Sequence, residues 1–325
     1  MKQEQPQVKT MEGSHITVAS PASIANLVCG FDILGLSLNS PEDIMRIYYS
    51  NTPGIRIQHV DGYNLPTIPE QNVAGAALLA LMQELPQEAG FDIVIDKRIK
   101  PGSGLGSSAA SAAGIVVGAN HLLGNIFSKE DLVRFAMAGE KVASGVKHAD
   151  NISPCIYGGV TLIRSIFPLD IIPLSSPPMY VTIVHPQIEV KTSDSRQILR
   201  KEVLLKDAIR QWGNIAGLVT GLLKNDFELI SRSLEDVIIE PVRSILIPGF
   251  AEVKLMSKEA GALGGGIAGS GPSIFMLSKE EAIAFEVEKV MKIIFNKIGI
   301  AYHTYVTTIN QRGVRITDNE PEMGE

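Results

Sequence analysis

The stretch from Pro101 to Gly114 contains the residues of this chain best suited to binding an anion. It reads Pro-Gly-Ser-Gly-Leu-Gly-Ser-Ser-Ala-Ala-Ser-Ala-Ala-Gly, so glycines alternate with other residues and the hydroxyls of Ser107 and Ser108 follow them. A glycine allows backbone angles and close contacts that a Cβ atom would block. Three such glycines and two hydroxyls predict a loop that wraps a phosphate, whereas one or two glycines would indicate only a tight turn.

The flanking segments predict that this loop joins a strand to a helix. Residues 91–99 alternate in polarity, which favours a strand, and residues 109–123 are rich in alanine and other apolar residues, which favours a buried helix. The first N–H groups of a helix lack intrahelical partners, and the positive end of the helix dipole lies beside them. The loop is therefore expected to present an anion to a helix N-terminus.

Two better-known phosphate loops fit less well. A P-loop requires G-x-x-x-x-G-K-[ST], and no lysine stands before Ser107 or Ser108. Gly104, Gly106 and Ala109 match the relaxed pattern G-x-G-x-x-A, but a dinucleotide-binding domain continues with a strand and an acidic residue about twenty positions later. Residues 128–136 instead begin a capped second helix. A dinucleotide site is thus a distant alternative.

The composition is that of an ordinary globular protein, with 45% hydrophobic and 20% charged residues. A net charge of −6 gives no general attraction to nucleic acid or anionic membranes, so any phosphate must be held locally. Cys29 and Cys155 form neither a disulfide framework nor a metal-ligand spacing, which predicts a cytoplasmic protein. The basic cluster of Lys97, Arg98 and Lys100 is interpreted as a solvated strand end.

The other segments mix strands and helices without a regular alternation, which is typical of an α+β fold. Strands are predicted at residues 16–19, 33–38, 44–49, 55–60, 91–99, 155–163, 179–185, 274–277 and 301–309. Helices are predicted at residues 72–84, 109–123, 129–143, 192–200, 203–223, 227–237, 251–261 and 280–298. Four prolines between residues 167 and 178 suggest a domain boundary. A second glycine-rich loop, residues 264–273, predicts a close approach of two backbones.

Three separated stretches together resemble the GHMP small-molecule kinase superfamily. They are Pro21 to Leu38, Pro101 to Gly114 and Gly264 to Ser273, and their order and spacing cover residues from about 15 to 310. Within the superfamily, the first stretch, residues 148–159 and residues 239–250 are similar to the homoserine kinase family. Val28-Cys29 departs from that family's usual Gly-Pro, which puts the shape of the loop in doubt but not its flanking polar residues.

The resemblance implies a two-domain fold, with an N-terminal domain like ribosomal protein S5 and a ferredoxin-like C-terminal domain. It implies that ATP and Mg²⁺ are used. The residues implied to hold the triphosphate are Pro101, Gly102, Ser103, Gly104, Leu105, Gly106, Ser107 and Ser108. Asn72 would face the nucleotide base, and Ser108 with Glu140 would hold Mg²⁺. The residues implied to surround homoserine are Asn26, Asp32, His148, Thr192, Arg196 and Arg243.

These residue types suit the chemistry that the resemblance implies. Homoserine is a zwitterion, so Asp32 can bind its ammonium group, while the planar guanidinium groups of Arg196 and Arg243 match its carboxylate. One serine and one glutamate suit Mg²⁺, which takes its other oxygens from phosphate and water. Phosphoryl transfer depends mainly on positioning and charge stabilisation, so a strong base is not obligatory. Asn151 is expected to orient the acceptor hydroxyl, while Asp150 either supports the loop or accepts the proton; Glu140 completes the predicted catalytic set.

The expected protein is therefore an ATP-dependent kinase that phosphorylates the side-chain hydroxyl of L-homoserine. The alternatives are another GHMP-type kinase with a different small alcohol, a relative that binds ligand without catalysis, and, more remotely, a dinucleotide-binding oxidoreductase. The predicted divisions are a flexible leader at 1–14, a nucleotide-binding domain at 15–167, a substrate-completing domain at 168–317 and a flexible tail at 318–325. A homodimer is expected by analogy, with no nucleic-acid or membrane partner.

Overall fold

The computed structural model describes residues 14–145, 148–190 and 192–317, without the side chains of Ser144, Thr192 and Ser193. The predicted tail, and all of the predicted leader except Ser14, lie outside these residues. The strands are β1 His15–Ala25, β2 Leu34–Ser50, β3 Gly54–His59, β4 Gly90–Asp96, β5 Val160–Ile166, β6 Leu169–Leu174, β7 Tyr180–Pro186, β8 Gly264–Ile267, β9 Ile274–Ser278, β10 Tyr302–Thr308 and β11 Arg315–Ile316.

Several helices contribute residues to the cavity described below. They are α1 Val73–Met82, α2 Ser107–Leu122, α3 Lys129–Ser144, α4 Ile152–Tyr157, α5 Thr192–Gln197, α6 Leu205–Lys224, α7 Phe227–Ser233, α8 Glu240–Arg243, α9 Phe250–Glu259 and α10 Glu281–Ile298. Short 3₁₀ turns precede α1 and follow α8. No helix in the described ranges has both the length and the apolar character needed to span a membrane.

The strands form two sheets. The first has the order β11-β1-β2-β4-β3, with β5 paired to β2 and β6 paired to β5. Its pairs are antiparallel except β3 with β4, which α1 connects as a crossover. The second sheet is antiparallel with the order β10-β7-β9-β8. Both sheets place loops and helix N-termini around the same cavity, which is why they matter for function.

Three buried apolar clusters stabilise this arrangement. One lies between the first sheet and α1, α2 and α3, and includes Phe91 and Phe135. A second joins the two sheets, because strands β1 and β2 contribute Ile24 and Leu36 while β9 contributes Phe275. The third packs α9 and α10 against the second sheet. Each fully buried large side chain of this kind contributes about 1.5–3 kcal/mol, so the two sheets are held as packed layers.

Most predicted elements agree with the structure, and the differences are as follows. The strand predicted at 155–163 begins only at Val160, because residues 155–157 belong to helix α4, which was missed. β1 continues through Pro21 to Ala25, past a register shift in its pairing with β2, where a loop was predicted. The two strands predicted at 33–38 and 44–49 are one long strand, β2. Helix α7 ends at Ser233 because residues 234–239 turn around the Asp236 carboxylate. Strand β6 was missed, and it lies in the proline-rich segment where the boundary between 167 and 168 was predicted.

Candidate active site

A cavity of about 460 Å³ brings together residues that are far apart in the chain. Three groups of polar residues line it. The first is the glycine loop with Ser107, Ser108 and Glu140; the second is the pair His59 and Asn72; the third is the charged group of Asn26, Asp32, His148, Asp150, Asn151, Arg196 and Arg243. The lining therefore includes every predicted site residue except Thr192, whose side chain is not described, and Ser103 and Leu105, which are buried behind the loop.

The glycine loop has the left-handed backbone that its sequence predicted. Gly104 and Gly106 have φ values of 83° and 65°, which residues with a side chain rarely adopt. A Cβ on Gly106 would lie 2.0 Å from Ser23 Oγ, and one on Gly104 would lie 2.5 Å from the carbonyl oxygen of Ala268. Only glycine fits both positions. Gly106 is the N-cap of α2, and no side chain among the described residues caps this helix.

The second glycine-rich segment is the backbone that approaches the loop. Its predicted loop is in fact strand β8 followed by a turn, and that turn contacts Gly104. Ser103 carbonyl oxygen accepts hydrogen bonds from the Ser273 N–H at 3.3 Å and hydroxyl at 2.6 Å. Leu105 carbonyl oxygen accepts one from the Ser23 N–H at 3.1 Å. Ser103 and Leu105 thus fix the loop to the rest of the fold.

A buried ion pair supports the same loop, and its lysine was wrongly interpreted as solvated. Lys97 is 6% exposed, and its Nζ donates to Asp43 Oδ2 at 2.5 Å, Ser107 carbonyl oxygen at 2.7 Å and Ser111 Oγ at 2.9 Å. Asp43 Oδ1 accepts from the N–H groups of Arg98 and Ile99, each at 2.9 Å. An ammonium group has three donors, and all three are used here. Lys97 therefore joins the end of β4 to the first turn of α2.

Ser108 and Glu140 converge in the cavity from α2 and α3. Ser108 Oγ donates to Glu140 Oε2 at 2.8 Å. Ser107 differs, because its hydroxyl donates to Ile99 carbonyl oxygen at 2.7 Å and is buried. No group of three or more His, Cys, Asp or Glu residues in the described chain could hold a metal by itself. One hydroxyl and one carboxylate suit a hard cation that takes its remaining ligands from phosphate and water, as Mg²⁺ does.

Opposite charges face each other in the charged group. Arg196 Nη2 donates to Asp32 Oδ1 at 2.7 Å, and both side chains are about one-third exposed. Arg243 is 4% exposed, and its donors reach the carbonyl oxygens of Ser195 at 3.1 Å and Gly269 at 3.2 Å. The guanidinium groups of both arginines lie over the Phe31 ring, 5.4 Å and 4.9 Å from its centroid. Burial lowers the pKa of Arg243 to about 10, so a nearby anion would be favourable.

The loop that carries Asp32 is held in an uncommon conformation. Asn26, Leu27 and Val28 have φ values of 74°, 40° and 67°, and Asp32 has 62°. A β-branched residue such as valine adopts this region at a cost of about 1–3 kcal/mol. Asn26 stabilises the loop, because its Nδ2 donates to Gly269 carbonyl oxygen and its Oδ1 accepts from the Asp32 N–H, each at 3.0 Å. The loop thus aims Asp32 into the cavity despite the Val28-Cys29 departure.

Both cysteines are buried near this loop, and neither has the character of a nucleophile. Burial raises the pKa of the Cys29 thiol and of the Cys155 thiol to about 12. Cys155 Sγ donates to Pro21 carbonyl oxygen at 3.3 Å, and the Cys29 carbonyl oxygen accepts from Gln211 Nε2 at 2.8 Å. A thiol with so high a pKa stays protonated at neutral pH. The cysteines therefore contribute packing to the site.

His148, Asp150 and Asn151 lie together in one turn before α4. Burial, with Asp32 and Glu140 adding to it, raises the pKa of Asp150 to about 7. Burial first, and then Arg196 and Arg243, lowers the pKa of His148. His148 Nε2 is buried and has no hydrogen-bond partner within the described ranges. Asn151 Oδ1 accepts from Ser23 Oγ at 2.8 Å, which leaves its amide N–H groups for another acceptor.

Asn72 lies at the start of α1 with its side chain held on three sides. Its Oδ1 accepts from the Gly75 N–H at 3.1 Å, and its Nδ2 donates to Pro66 carbonyl oxygen at 2.6 Å and to His59 Nε2 at 3.1 Å. The side chain is the N-cap of α1 as well as part of the cavity lining. One residue thus both starts a helix and faces the cavity.

Known proteins share both halves of this architecture. The family model for the "GHMP kinases N terminal domain" matches residues 72–159, and the model for "GHMP kinases C terminal" matches residues 218–297. Homoserine kinase of Chloroherpeton thalassium is 44% identical over 315 residues, which cover 93% of this chain and 99% of that protein. This chain belongs to the homoserine kinase family. Homoserine kinase of Methanocella arvoryzae is 39% identical over 307 residues, covering 94% of this chain and 99% of that one.

Solved structures of known proteins also match this fold. The crystal structure of homoserine kinase from Cytophaga hutchinsonii matches with a TM-score of 0.91 at 45% identity, covering 96% of this chain and 100% of that chain. A mevalonate kinase from L. major matches with a TM-score of 0.69 at 14% identity, covering 94% of this chain and 98% of that chain, and shows the fold alone. The expected GHMP-kinase fold is confirmed.

Sequence reasoning missed several residues that build the site of this family member. Lys97 and Asp43 were missed because a buried ion pair leaves no local pattern, although the cluster of Lys97, Arg98 and Lys100 could have prompted the question. His59 was missed because it lies at the end of strand β3, where a histidine carries no motif. Phe31 stood inside the first motif and was passed over, because no pattern shows that two arginines will cover its ring.

Proposed function

We propose that this protein transfers the γ-phosphoryl group of ATP to the side-chain hydroxyl of L-homoserine, forming O-phospho-L-homoserine for threonine biosynthesis. One observation carries the proposal: a single cavity joins an uncapped helix N-terminus to a group of opposite charges that suits a zwitterion. Membership of the homoserine kinase family supports the same substrate. An uncapped helix N-terminus favours a phosphate, and paired opposite charges favour an amino acid.

The nucleotide lies along the glycine loop in this proposal. Backbone N–H groups between Gly102 and Ser108 bind the triphosphate, while Pro101, Ser103 and Leu105 shape the loop around them. Lys97 keeps the loop in place without using a donor on the phosphate. Asn72 faces the base. This division is supported by the left-handed glycines, since a side chain at Gly104 or Gly106 would collide with backbone or Ser23.

Mg²⁺ fits between Ser108 and Glu140, whose oxygens are 2.8 Å apart. When bound, the ion neutralises charge that develops on the transferred phosphoryl group. Ser108 and Glu140 would supply its protein ligands. Glu140 is thereby a binding residue for the metal.

Homoserine occupies the charged group. Asp32 binds its ammonium group, competing with the partly exposed Arg196, and Arg196 and Arg243 bind its carboxylate. Asn26 orients Asp32, and His148 offers its unpartnered Nε2 to the ligand. Thr192, at the start of α5, is proposed to be one of the residues around homoserine. Two arginines near one carboxylate-bearing ligand are favoured because the guanidinium fork matches a carboxylate.

The proton of the hydroxyl passes to Asp150 in this proposal, while Asn151 orients the hydroxyl with its amide N–H groups. Asp150 is buried, lines the cavity and has a pKa of about 7, which is the range in which a general base is effective near neutral pH. Asn151 is held by Ser23, so its amide is preoriented. The fixed geometry supplies most of the rate in a loose phosphoryl transfer.

We also propose that the protein is a cytoplasmic homodimer with domains at residues 15–167 and 168–317. An exposed apolar stripe on α6, including Leu205, Ile209 and Trp212, supports self-association. The two buried thiols, unbonded to each other, suit a reducing compartment. The domain division has the glycine loop in the first part and both arginines in the second, so each part contributes to one cavity.

An assay of ADP release tests the proposed reaction directly. We expect Mg²⁺-dependent ADP production with L-homoserine and negligible production with mevalonate, shikimate or galactose. Mevalonate lacks an ammonium group, so it would leave Asp32 without its partner. Faster turnover of mevalonate, or no ADP from any of the four alcohols, would contradict the proposal.

Replacement of Arg243 by alanine is expected to raise the KM for homoserine about 30-fold, because a buried charged hydrogen bond contributes about 1.5–3 kcal/mol. The KM for ATP should change by less than about threefold, since the guanidinium lies in the charged group. Steady-state kinetics with each substrate varied in turn measures both constants. Arg232→Ala, an exposed arginine on α7, is the matched control. Equal increases in both KM values would remove Arg243 from the homoserine site.

A further inference from the structure

His59, Asp61 and Asn72 form a continuous hydrogen-bonded chain beside the nucleotide side of the cavity. His59 Nδ1 lies 3.1 Å from Asp61 Oδ2, and His59 Nε2 lies 3.1 Å from Asn72 Nδ2. The side chains of His59 and Asp61 are 8% and 0% exposed. Asp61 is itself fixed, because its oxygens accept from the N–H groups of Tyr63 at 2.9 Å and Lys97 at 3.1 Å. These hydrogen bonds therefore fix the end of β3, the turn that follows it and the start of α1 to one another.

The partners determine which way each group points. Asn72 Oδ1 must be the oxygen, because the Gly75 N–H donates to it, and Nδ2 must be the nitrogen, because it donates to Pro66 carbonyl oxygen. A carboxamide nitrogen only donates, so His59 Nε2 is the acceptor of its second N–H. The proton of the His59 ring is consequently on Nδ1 and is donated to Asp61.

This geometry limits what Asn72 can offer a ligand. Both hydrogens of its amide are already donated, to Pro66 and to His59. Within the described part of the chain, its oxygen accepts only from Gly75, and a carbonyl oxygen has a second lone pair. The side chain lines the cavity. Asn72 can thus accept one further hydrogen bond and can donate none.

We infer that His59 is a positioning residue that makes Asn72 an acceptor-only contact and thereby selects a purine base with a 6-amino group over one with a 6-carbonyl group. Adenine offers an N–H donor at this position, whereas guanine offers an oxygen that would face the Asn72 oxygen. The inference rests on the proposed ATP site and adds His59, through Asn72, as the origin of base choice. A site that fixes a polar partner discriminates well against an analogue that cannot pair with it.

Nucleotide binding without homoserine tests this on the unmodified protein. Calorimetry with ATP, purine riboside 5′-triphosphate and GTP, each with Mg²⁺, should show ATP binding about 10-fold more tightly than the analogue that lacks the amino group, because an unpaired buried acceptor costs about 1–3 kcal/mol. GTP should bind more weakly still. Equal affinities for the three nucleotides would overturn the inference. Because homoserine is absent from this experiment, the result does not depend on whether homoserine is phosphorylated.

Variants of His59 separate positioning from simple folding. His59→Phe removes both ring nitrogens and leaves one Asn72 N–H unpaired, so the ATP affinity should fall about 10-fold while the GTP affinity stays the same or increases. His59→Gln retains an acceptor and a donor and should restore selectivity. His303→Phe, an exposed histidine on β10, is the matched control. Equal loss of ATP and GTP affinity in His59→Phe, or an unchanged ATP-to-GTP ratio, would overturn the role; if that variant fails to fold, the analogue series above decides.

Discussion

Replacement of Glu140 by alanine is expected to lower kcat by about 10²–10³-fold, the loss that follows from removing one group that stabilises transition-state charge. The Glu140 carboxylate accepts a hydrogen bond from Ser108 Oγ at 2.8 Å. Without it, the proposed metal site keeps a single protein oxygen. The Mg²⁺ concentration for half-maximal activity should therefore increase as well, and a magnesium titration of the ADP-release rate measures both effects.

Glu130→Ala is the matched control for this change, because Glu130 is an exposed glutamate in the first turn of the same helix, α3. Its kcat and magnesium dependence should stay within about twofold of the unmodified protein, as is usual for a surface substitution. Binding of magnesium and a non-hydrolysable ATP analogue, followed by calorimetry, provides a readout that does not need turnover. If Glu140→Ala bound magnesium nucleotide normally and turned over at the normal rate, Glu140 would have no part in the metal site.

The conformation of the glycine loop could be predicted from sequence because its signal is local. A glycine at Gly104 or Gly106 is required by backbone conformation, and a loop of this kind before an alanine-rich segment predicts both a tight turn and a helix. Helix limits were predicted to within about two residues where capping residues and apolar periodicity coincide, as at Ser128 and α3. Local sequence signals therefore predicted most of the elements around the glycine loop.

Contacts between distant residues could not be predicted in this way. Lys97 was interpreted as solvated because a charged residue at a strand end usually is, yet the fold encloses it with Asp43 and Ser111. The same applies to Asn72, where family resemblance implied a position near the base but could not show that His59 fixes its amide. Strand β6 was missed because prolines disfavour strands, although Pro173 pairs at an edge position. Pairing partners come from tertiary structure, and a single sequence does not record them.

Replacement of Asp150 by asparagine is expected to lower kcat about 10²-fold and to remove its pH dependence, because the proposed general base would be gone. Burial raises the pKa of Asp150 to about 7, so only part of the population carries the basic carboxylate at neutral pH. In the unmodified protein, kcat/KM should therefore increase with pH and level off above about pH 7. Rate measurements from about pH 5 to about pH 9 on both proteins test this. Nearly full turnover in Asp150→Asn would eliminate the base role.

The free energy of unfolding should also be lower at pH values at which Asp150 must ionise. Its pKa is 3.8 in a model compound and about 7 in the fold, so the folded state holds the proton more tightly. The resulting stabilisation is fully present below about pH 4 and is lost as the pH rises through 7, with a slope of at most about 1.4 kcal/mol per pH unit. Urea unfolding of the nucleotide-free protein should show this fall, and Asp150→Asn should lack it. Asp207→Asn, on the first turn of α6, is the control and should retain it.

The effects of replacing Glu140 and Asp150 are linked, because the two carboxylates repel each other. Glu140 is one of the groups that raise the pKa of Asp150, after burial and Asp32, so Glu140→Ala should shift the midpoint of the stability decrease to lower pH. A role for Glu140 in metal binding alone predicts the loss of kcat but no such shift in the nucleotide-free protein. Unfolding measurements without nucleotide or metal separate the two, because neither ligand is present. An unchanged midpoint would mean that Glu140 does not act on Asp150, and that burial and Asp32 hold its proton in place.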